Sequence, residues 1–365
     1  MKFEFYTSVG GTAFWNGIVQ GLASSGREAE VISVMDQGQY QRPKNFFTKL
    51  LQRWKLYAGM SLHTRRHLRQ EVRQPTCRVA TTNPFYLPGL VREHTPVRAD
   101  LRVVNLVFDL YPEAIELSGR QLSPGYRQRL EALTRRTVQE CDASIFLGSR
   151  LRDYALAKYG PAPQSAIIPV GADAQPFAAS PPEILPHEYP VRLLYCGLLG
   201  RMHEIDTLVQ LGQGEPVAGC EMKFHATGTG AKALRRGWFE LGGPLGPTQW
   251  PEAMRSAQVG VVSVRHGAEK VVLPSKTYSA LAAGQAILAI CSKESDLASL
   301  VTGLDCGWVV EPGDVEGLRR RLHGITADRE GLLAKQRNAF RAGQGPYACA
   351  TVARQWVALA EKLFA

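Results

Sequence analysis

The sequence predicts an α/β protein built from two doubly wound, Rossmann-like domains, each a parallel sheet wrapped by helices. Three observations carry that expectation. Strand-length apolar runs alternate with helical lengths through the first half, a second series of the same kind begins near Val191, and an aperiodic, proline-rich stretch at 175–190 separates them. With 365 residues, 45% of them hydrophobic, the chain has material for two cores of ordinary size and too much for one.

In chain order, Lys2 to Thr7 reads as a strand, Gly10 and Gly11 as a tight loop, Phe14 to Ala23 as a helix closed by Gly26, and Ala29 to Val34 as the next strand. Strands follow at Arg78 to Thr82, Leu101 to Phe108 and Ala143 to Phe146, with a helix from about Gly125 to Glu140. The second series consists of Val191 to Cys196, Met222 to Ala226, Val259 to Ser263, Ala286 to Ile290 and Gly307 to Val310. The last helical pattern, Ala350 to Leu363, has no strand after it and is expected to cross back onto the first domain. The expected division is 1–174 with 346–365, a linker at 175–190, and 191–345. Two such sheets leave a cleft at the carboxyl ends of their strands, where ligands bind, so the loops after the strands hold the candidate residues.

Charge and cysteine usage narrow the function classes. The net charge of +10 sits mainly in the first 175 residues, which hold 23 Lys/Arg against 15 Asp/Glu, while the rest hold 20 against 18. Between Arg42 and Arg73 nine Lys/Arg meet one acid, Glu71. There Phe46, Phe47, Leu50, Leu51, Trp54 and Tyr57 recur at helical spacing, with Lys44, Lys49, Arg53 and Lys55 between them. A basic amphipathic helix over 46–57 suits an anionic membrane surface, and it equally suits packing on its own domain with the cations in water. No nucleic-acid motif accompanies the charge, so nucleic acid is not an expected partner. The seven cysteines include no Cys-x-x-Cys pair, so neither a disulfide framework nor a zinc site is expected, and they read as reduced and mostly buried. The helically spaced pair His63 and His67 lies among arginines and reads as a solvated basic face, and no metal is expected. Nothing at the N-terminus reads as a signal peptide and no apolar run approaches a bilayer span, so a cytoplasmic protein is expected, peripheral at the inner membrane face if the basic helix docks.

The chemistry-bearing segments follow strands. Val271 to Ile290 places a Pro-Ser-Lys turn at the start of a short helix that buries Tyr278, Leu281 and Ala282 and stops at Gly284. Backbone N–H groups, the Ser275 hydroxyl and the Lys276 ammonium would there favour a phosphate. An ordinary turn, helix and strand is the plain alternative. The loop Tyr195-Cys-Gly-Leu-Leu-Gly-Arg201 lets the backbone approach a ligand at Gly200 and offers the Arg201 fork to phosphate oxygens, unless Arg201 merely pairs with Glu204. Gly228 and Gly230, in Thr-Gly-Thr-Gly, line a nucleotide pocket or simply turn the chain. Asp109, after the strand that begins at Leu101, could orient a hydroxyl or cap a helix, while Glu113 beside Pro112 reads as a first helical turn. The chain lacks Gly-x-Ser-x-Gly, a Walker loop and Gly-x-Gly-x-x-Gly at its first helix, so hydrolase, NTPase and dehydrogenase classes each lack their central piece.

In combination these segments resemble family-4 glycosyltransferases with the GT-B fold, which are retaining nucleotide-sugar enzymes. Ala166-Ile-Ile-Pro-Val-Gly-Ala-Asp-Ala-Gln-Pro-Phe177 resembles their interdomain signature, and Tyr195 to Arg201 their diphosphate loop. Leu273 to Gly284 is similar to the Pro-Ser-Lys-x-Tyr helix of a subgroup active in cell-surface polysaccharide synthesis. Phe108-Asp-Leu-Tyr-Pro-Glu113 and Asp305 to Asp314 resemble further segments of that subgroup, and the likeness covers roughly residues 100 to 320. The resemblance implies that Arg201, Lys276, Ser275 and Gly200 hold the donor diphosphate, that Glu269, Ser279, Gly228 and Gly230 meet the donor sugar or nucleotide, and that Asp109 is catalytic. Gly10 and Gly11 would form a glycine loop near the acceptor. It further implies a nucleotide diphosphate-sugar as co-substrate, no other cofactor, a saccharide or lipid-linked acceptor, and departing charge neutralised by cations. Three departures stand out. Val271 and Ser279 occupy the places of the family's paired glutamates, with Glu269 two residues from the first; Phe108 replaces a histidine; and the lysine usually found shortly after the arginine is missing, which leaves Lys276 to compensate. A nucleotide-sugar epimerase of the same architecture and a non-catalytic sugar-binding relative stay open as alternatives.

Overall fold

The structure, a computed structural model, describes residues 1–40 and 45–365. Arg42 and Lys44 of the basic segment lie outside the described residues. Two six-stranded sheets form. The first contains β1 (Lys2–Tyr6), β2 (Glu28–Ile32), β3 (Thr76–Thr81), β4 (Leu101–Val107), β5 (Ala143–Phe146) and β6 (Ser165–Ile167), in the order β2-β1-β3-β4-β5-β6. The second contains β7 (Val191–Leu198), β8 (Cys220–Thr227), β9 (Glu240–Gly242), β10 (Val259–Ser263), β11 (Ala286–Ile290) and β12 (Gly307–Val310), in the order β12-β11-β10-β7-β8-β9. Every pairing is parallel. These are the doubly wound sheets the alternation predicts. Parallel strands are covered on both faces, so β10 and β11 are buried at every residue and read as unbroken apolar runs. The two three-residue edge strands, β6 and β9, escape sequence reading because each is too short for any period to show.

The chain divides into two compact units, one of residues 1–116, 121–170 and 349–365, the other of 117–120 and 171–348. In the first, the C-terminal helix Cys349–Phe364 packs on the helix Ala13–Ser24. Glycines make the approach close: a Cβ on Gly17 would meet the Cys349 sulfur at 2.7 Å, and one on Gly21 the Ala353 methyl at 2.7 Å. In the second, the helix Arg329–Gln344 presses on the helix Lys276–Ala282, where a Cβ on Gly343 would meet the Ala282 nitrogen at 2.3 Å. The segment 175–190 belongs to the second unit, and its Phe177 is buried against Trp250.

Strand order selects which loops gather. In the second sheet the order reverses between β7 and β10, and ligands bind at such switch points beyond the strand carboxyl ends. The loops that leave there are 199–205 and 264–275, so tertiary topology brings the Arg201 loop and the Pro-Ser-Lys turn together. The first sheet reverses between β1 and β3, beside Gly10 and Gly11. That loop is tied down, with the Gly10 N–H donating to Met35 O at 2.8 Å and Gly11 at φ +63°.

The basic segment is helical from Phe46 to Trp54, passes through one wider π turn at Lys55–Gly59, and continues as an α-helix from Met60 to Leu68. Its aromatic and aliphatic positions are open to solvent, with Phe46 and Phe47 exposed by 73% and 78% and Trp54 by 55%. Packing of this face on its own domain is therefore not what the fold does with it. The segment is anchored further on, through the buried Met60, Thr64 and Leu68. His67 departs from the expected solvated face: it is half-buried, its Nδ1 is 3.0 Å from the Tyr6 hydroxyl, and its Nε2 is 3.3 Å from Glu30. It lies beside that anchoring stripe on the helix and is drawn inward with it. Glu4, Glu30 and His67 converge closely enough to bind an ion, but Lys2 already pairs with both glutamates, and Arg78 lies 3.0 Å from Glu4.

Candidate functional site

In the second unit the candidate residues assemble around β7. Gly197, at φ +120°, kinks the strand's end, and the chain then turns through Leu199 and Gly200 to Arg201. Lys276 is the first residue of the Lys276–Ala282 helix and sends its side chain across to this loop. Its Nζ donates to the Tyr195 hydroxyl, lies 3.3 Å from Leu198 O and 3.1 Å from His203 Nε2, and stands over the Tyr195 ring. The residue as a whole is partly exposed, yet its ammonium end is enclosed, and the enclosure of the charged atom governs its titration. Burial pushes its pKa down to about 7, offset slightly by Cys196. His203 is pushed down to about 3, by burial first and then by the Lys276 charge. Among the described residues no carboxylate lies within ion-pair distance of Lys276 or Arg201.

Arg201, His203, Ile205, Thr229 and Arg265 share a cavity of about 300 Å³ with Glu204, Asp206 and His266. The plain alternative for Arg201 is not realised. Its guanidinium donates to Ser118 O at 2.6 Å, while Glu204 turns to the first turn of the helix Asp206–Gln213, accepting from the N–H and the hydroxyl of Thr207 at 2.9 and 2.8 Å. Arg265 donates to the carbonyls of Leu117 and Arg201. It therefore braces the loop that carries Arg201.

The remaining donor-side candidates fall into three groups. Ser275 is exposed at the start of the Lys276 helix and makes no side-chain cap, while the N–H groups of Thr277 and Tyr278 bond back to Pro274 and Ser275. Glu269 is half-buried in the β10 loop, and one of its carboxylate oxygens is enclosed without a hydrogen-bond partner. The third group is Gly228, Gly230 and Ser279. The sides of the two glycines that a Cβ would take are filled by the backbone of Leu199 at 2.9 Å, so their missing side chains already serve the packing of the Arg201 loop. Ser279 lies on the third residue beyond Lys276 and is partly buried. Val271 is buried.

In the first unit, Asp109 follows β4 and is held through its backbone, Thr82 bonding both its N–H and its carbonyl. It does not cap a helix, because the next helix starts at Glu113. Burial raises its carboxyl to about 6. Glu113 is a buried acceptor for Lys158 and Tyr159 at 2.7 and 2.8 Å, which gives it a structural task. Phe108 packs against Phe14 and Trp15. None of the seven cysteines is in a disulfide, and five of them are buried.

Sequence reasoning missed His203, Tyr195 and Arg265 as parts of the site. A histidine two residues beyond Arg201 was a readable signal. Tyr195 looked like a core strand residue, and Arg265 only matters once β10 is known to neighbour β7.

Neither a scan of protein-family models nor a search of curated proteins finds a match to this chain. Solved structures do match. A sucrose-phosphate synthase from Thermosynechococcus elongatus aligns over 100% of this chain and 99% of its own, with TM-score 0.70 at 16% identity. WaaG, a glycosyltransferase involved in lipopolysaccharide biosynthesis, aligns over 98% of both chains with TM-score 0.66 at 14% identity. HepE from Anabaena, in complex with UDP-glucose, covers 99% of this chain and 100% of its own, with TM-score 0.68 at 14% identity. At such identities the likeness speaks for the fold, and that fold is GT-B.

Proposed function

We propose that this chain is a glycosyltransferase that moves a sugar from a nucleotide diphosphate-sugar to a saccharide or lipid-linked acceptor, with retention of anomeric configuration, in the manner of family 4. One observation carries the proposal: Lys276 delivers its ammonium to the Leu198–His203 loop at the switch point of the second sheet, with Arg201 in the same loop and, among the described residues, no carboxylate within ion-pair distance of either. Such a site calls for an anion. That structures of HepE contain UDP and UDP-glucose supports a nucleotide diphosphate as that anion.

The roles follow from charge. As the bond to the leaving oxygen stretches, the sugar becomes cationic and the diphosphate gains charge, so groups that meet the diphosphate more strongly in the transition state accelerate the step. Arg201 and the backbone at Gly200 supply those groups from the chain itself, with the Lys276 charge held just behind them, which is the basis for reading the reaction as metal-independent. Ser275 adds a hydroxyl donor. Glu269, with an unsatisfied carboxylate oxygen, is assigned to a hydroxyl of the donor, replacing the glutamate whose place Val271 fills, and Ser279, Gly228 and Gly230 are assigned to its surroundings. Asp109, with Gly10 and Gly11, is assigned to the acceptor side, where an ionised carboxylate would orient the attacking hydroxyl.

The exposed helix Phe46–Trp54 and the turn after it combine apolar side chains with Lys49, Arg53 and Lys55, and we assign it to an anionic membrane surface. Among the described residues no helix is long and apolar enough to cross a membrane. Peripheral contact at the inner membrane face, in surface polysaccharide or glycan synthesis, is the setting this suits.

A thermal-shift screen of nucleotide-sugars tests the donor first, because a ligand bound only by the folded state raises the melting temperature. Transfer assays with the donor so found should then lose 100-fold or more of kcat/KM in Arg201→Ala and in Lys276→Ala, about 3 kcal/mol each. Unaltered turnover in both variants would overturn the assignment.

A further inference from the structure

The hydrogen-bond pattern around Lys276 has two complete solutions that differ by one proton. The Tyr195 hydroxyl donates to Leu198 O at 2.7 Å, so it accepts from Nζ. Leu198 O, 3.3 Å from Nζ, can only accept as well. The third neighbour, His203 Nε2 at 3.1 Å, can donate or accept. On the other side of the ring, Nδ1 lies 3.1 Å from the nitrogen of Gly200 and 3.3 Å from its oxygen, so it too can play either part.

In one solution Nδ1 accepts the Gly200 N–H and Nε2 carries the hydrogen. Lys276 is then an uncharged amine that donates to Tyr195 and Leu198 and accepts from His203. In the other, Nδ1 carries the hydrogen and donates to Gly200 O, while Lys276 is an ammonium donating to all three neighbours. Both satisfy Lys276, the Tyr195 hydroxyl and the two ring nitrogens. The second differs in two useful respects: it adds a positive charge, and it releases the Gly200 N–H from the ring.

We propose that His203 is a positioning residue that couples occupation of the diphosphate loop to uptake of one proton, switching the cluster from the amine form to the ammonium form and freeing the Gly200 N–H for the ligand. This rests on the donor reading above. The proton comes from solvent and ends on Lys276; the imidazole exchanges one N–H for the other and stays neutral, so charge and atoms balance.

The surroundings support the exchange. Tyr195, Cys196 and His203 are the ionisable groups nearest the ammonium, and Arg201, Glu204, Asp206, Arg265 and His266 line the cavity that His203 also borders. Of the elements packed on the Lys276–Ala282 helix, β10 and β11 carry no ionisable side chain, and the helix Arg329–Gln344 lies against its far end, with Gly343 on Leu281 and Ala282 and the Gln344 amide donating to Ala282 O. Burial holds Lys276 near neutrality, which is the condition for a ligand to draw the proton on at ordinary pH, and it holds His203 well below, so the ring does not take the charge instead.

The test is calorimetry of the full chain with UDP-glucose and GDP-mannose, whose diphosphate diesters do not themselves titrate near neutral pH. Heats measured in two buffers of different ionisation enthalpy should reveal uptake approaching one proton per bound molecule at pH 8, several-fold less at pH 6, and a Kd that rises up to tenfold per pH unit above about pH 7. In His203→Gln, which keeps one hydrogen bond but cannot exchange hydrogens between its two sides, the midpoint of that profile should move by a unit or more while circular dichroism is unchanged. Buffer-independent heats at pH 8, or a His203→Gln profile identical to the parent, would overturn the coupling while leaving the donor assignment intact. Failure of both probes to bind at any pH would overturn the donor assignment and the coupling with it. Should His203→Gln not fold, the two-buffer measurement on the parent chain decides alone.

Discussion

The ammonium of Lys276 stands 3.8 Å above the ring of Tyr195, and a phenol with a carbonyl and an imidazole, rather than a carboxylate, answers its charge. A cation enclosed in this way costs folding free energy. The unfolded chain binds its proton up to about pH 10.5, the folded one only up to about 7. Between these values the unfolded state holds more protons, so stability rises with pH across that window, and the cost is fully present below it. Lys276→Met should therefore stabilise the free protein at pH 6 by roughly 1–3 kcal/mol and flatten the rise above pH 7, while donor binding is lost. Denaturant melts of both proteins from pH 6 to 10 check this, and a less stable variant with the slope retained would count against it.

Asp109 titrates in the opposite sense. Burial raises its carboxyl from about 3.8 to about 6, so the folded state holds the extra proton between those values and stability falls as pH rises through them. Asp109→Asn should be more stable than the parent at pH 7, on the order of 1–3 kcal/mol. It should also cut the transfer rate about 100-fold or more and remove an acid limb near pH 6 from the rate profile. An acid limb that survives the substitution belongs to another group.

The apolar side chains at Phe46, Phe47, Leu50 and Trp54 stand in water beside Lys49, Arg53 and Lys55. Flotation with vesicles containing anionic lipid should recover the protein, and with neutral vesicles much less. Neutralising the three cations together should weaken binding about 100-fold, at about 1 kcal/mol each. Equal recovery of the neutralised variant would remove the membrane assignment without touching the donor site.

Gly343 lets the helix Arg329–Gln344 lie against the backbone of the Lys276 helix, at a distance no Cβ tolerates. Gly343→Ala should lower stability by about 2–3 kcal/mol and weaken donor binding, since the helix that carries Lys276 must shift. Thermal melts and nucleotide-sugar affinity measured on one preparation check both, and an unchanged melting temperature would show that the helices have room to part.

Much was legible in local pattern. Unbroken apolar runs such as Ala286 to Ile290 announced buried parallel strands, glycines marked their ends, and the Pro-Ser-Lys turn and Arg201 loop stood out because few residue types place cations and close-approaching backbone after a strand. Such signals are short-ranged, written into neighbours along the chain. Three-residue edge strands held only by a partner across the sheet left no such mark. Nor did the inward pull on His67, which comes from Tyr6 and Glu30 far away in sequence.

Strand order was decided in three dimensions. Only when β10 lies next to β7 does an ammonium from residue 276 reach a tyrosine at 195 and a histidine at 203, and only then does enclosure bring its titration near neutrality. Proximity across a sheet and the loss of water around a charge are properties of the packed chain. Residue type and spacing could nominate Lys276 as a phosphate ligand; its environment sets the pH at which it carries a charge.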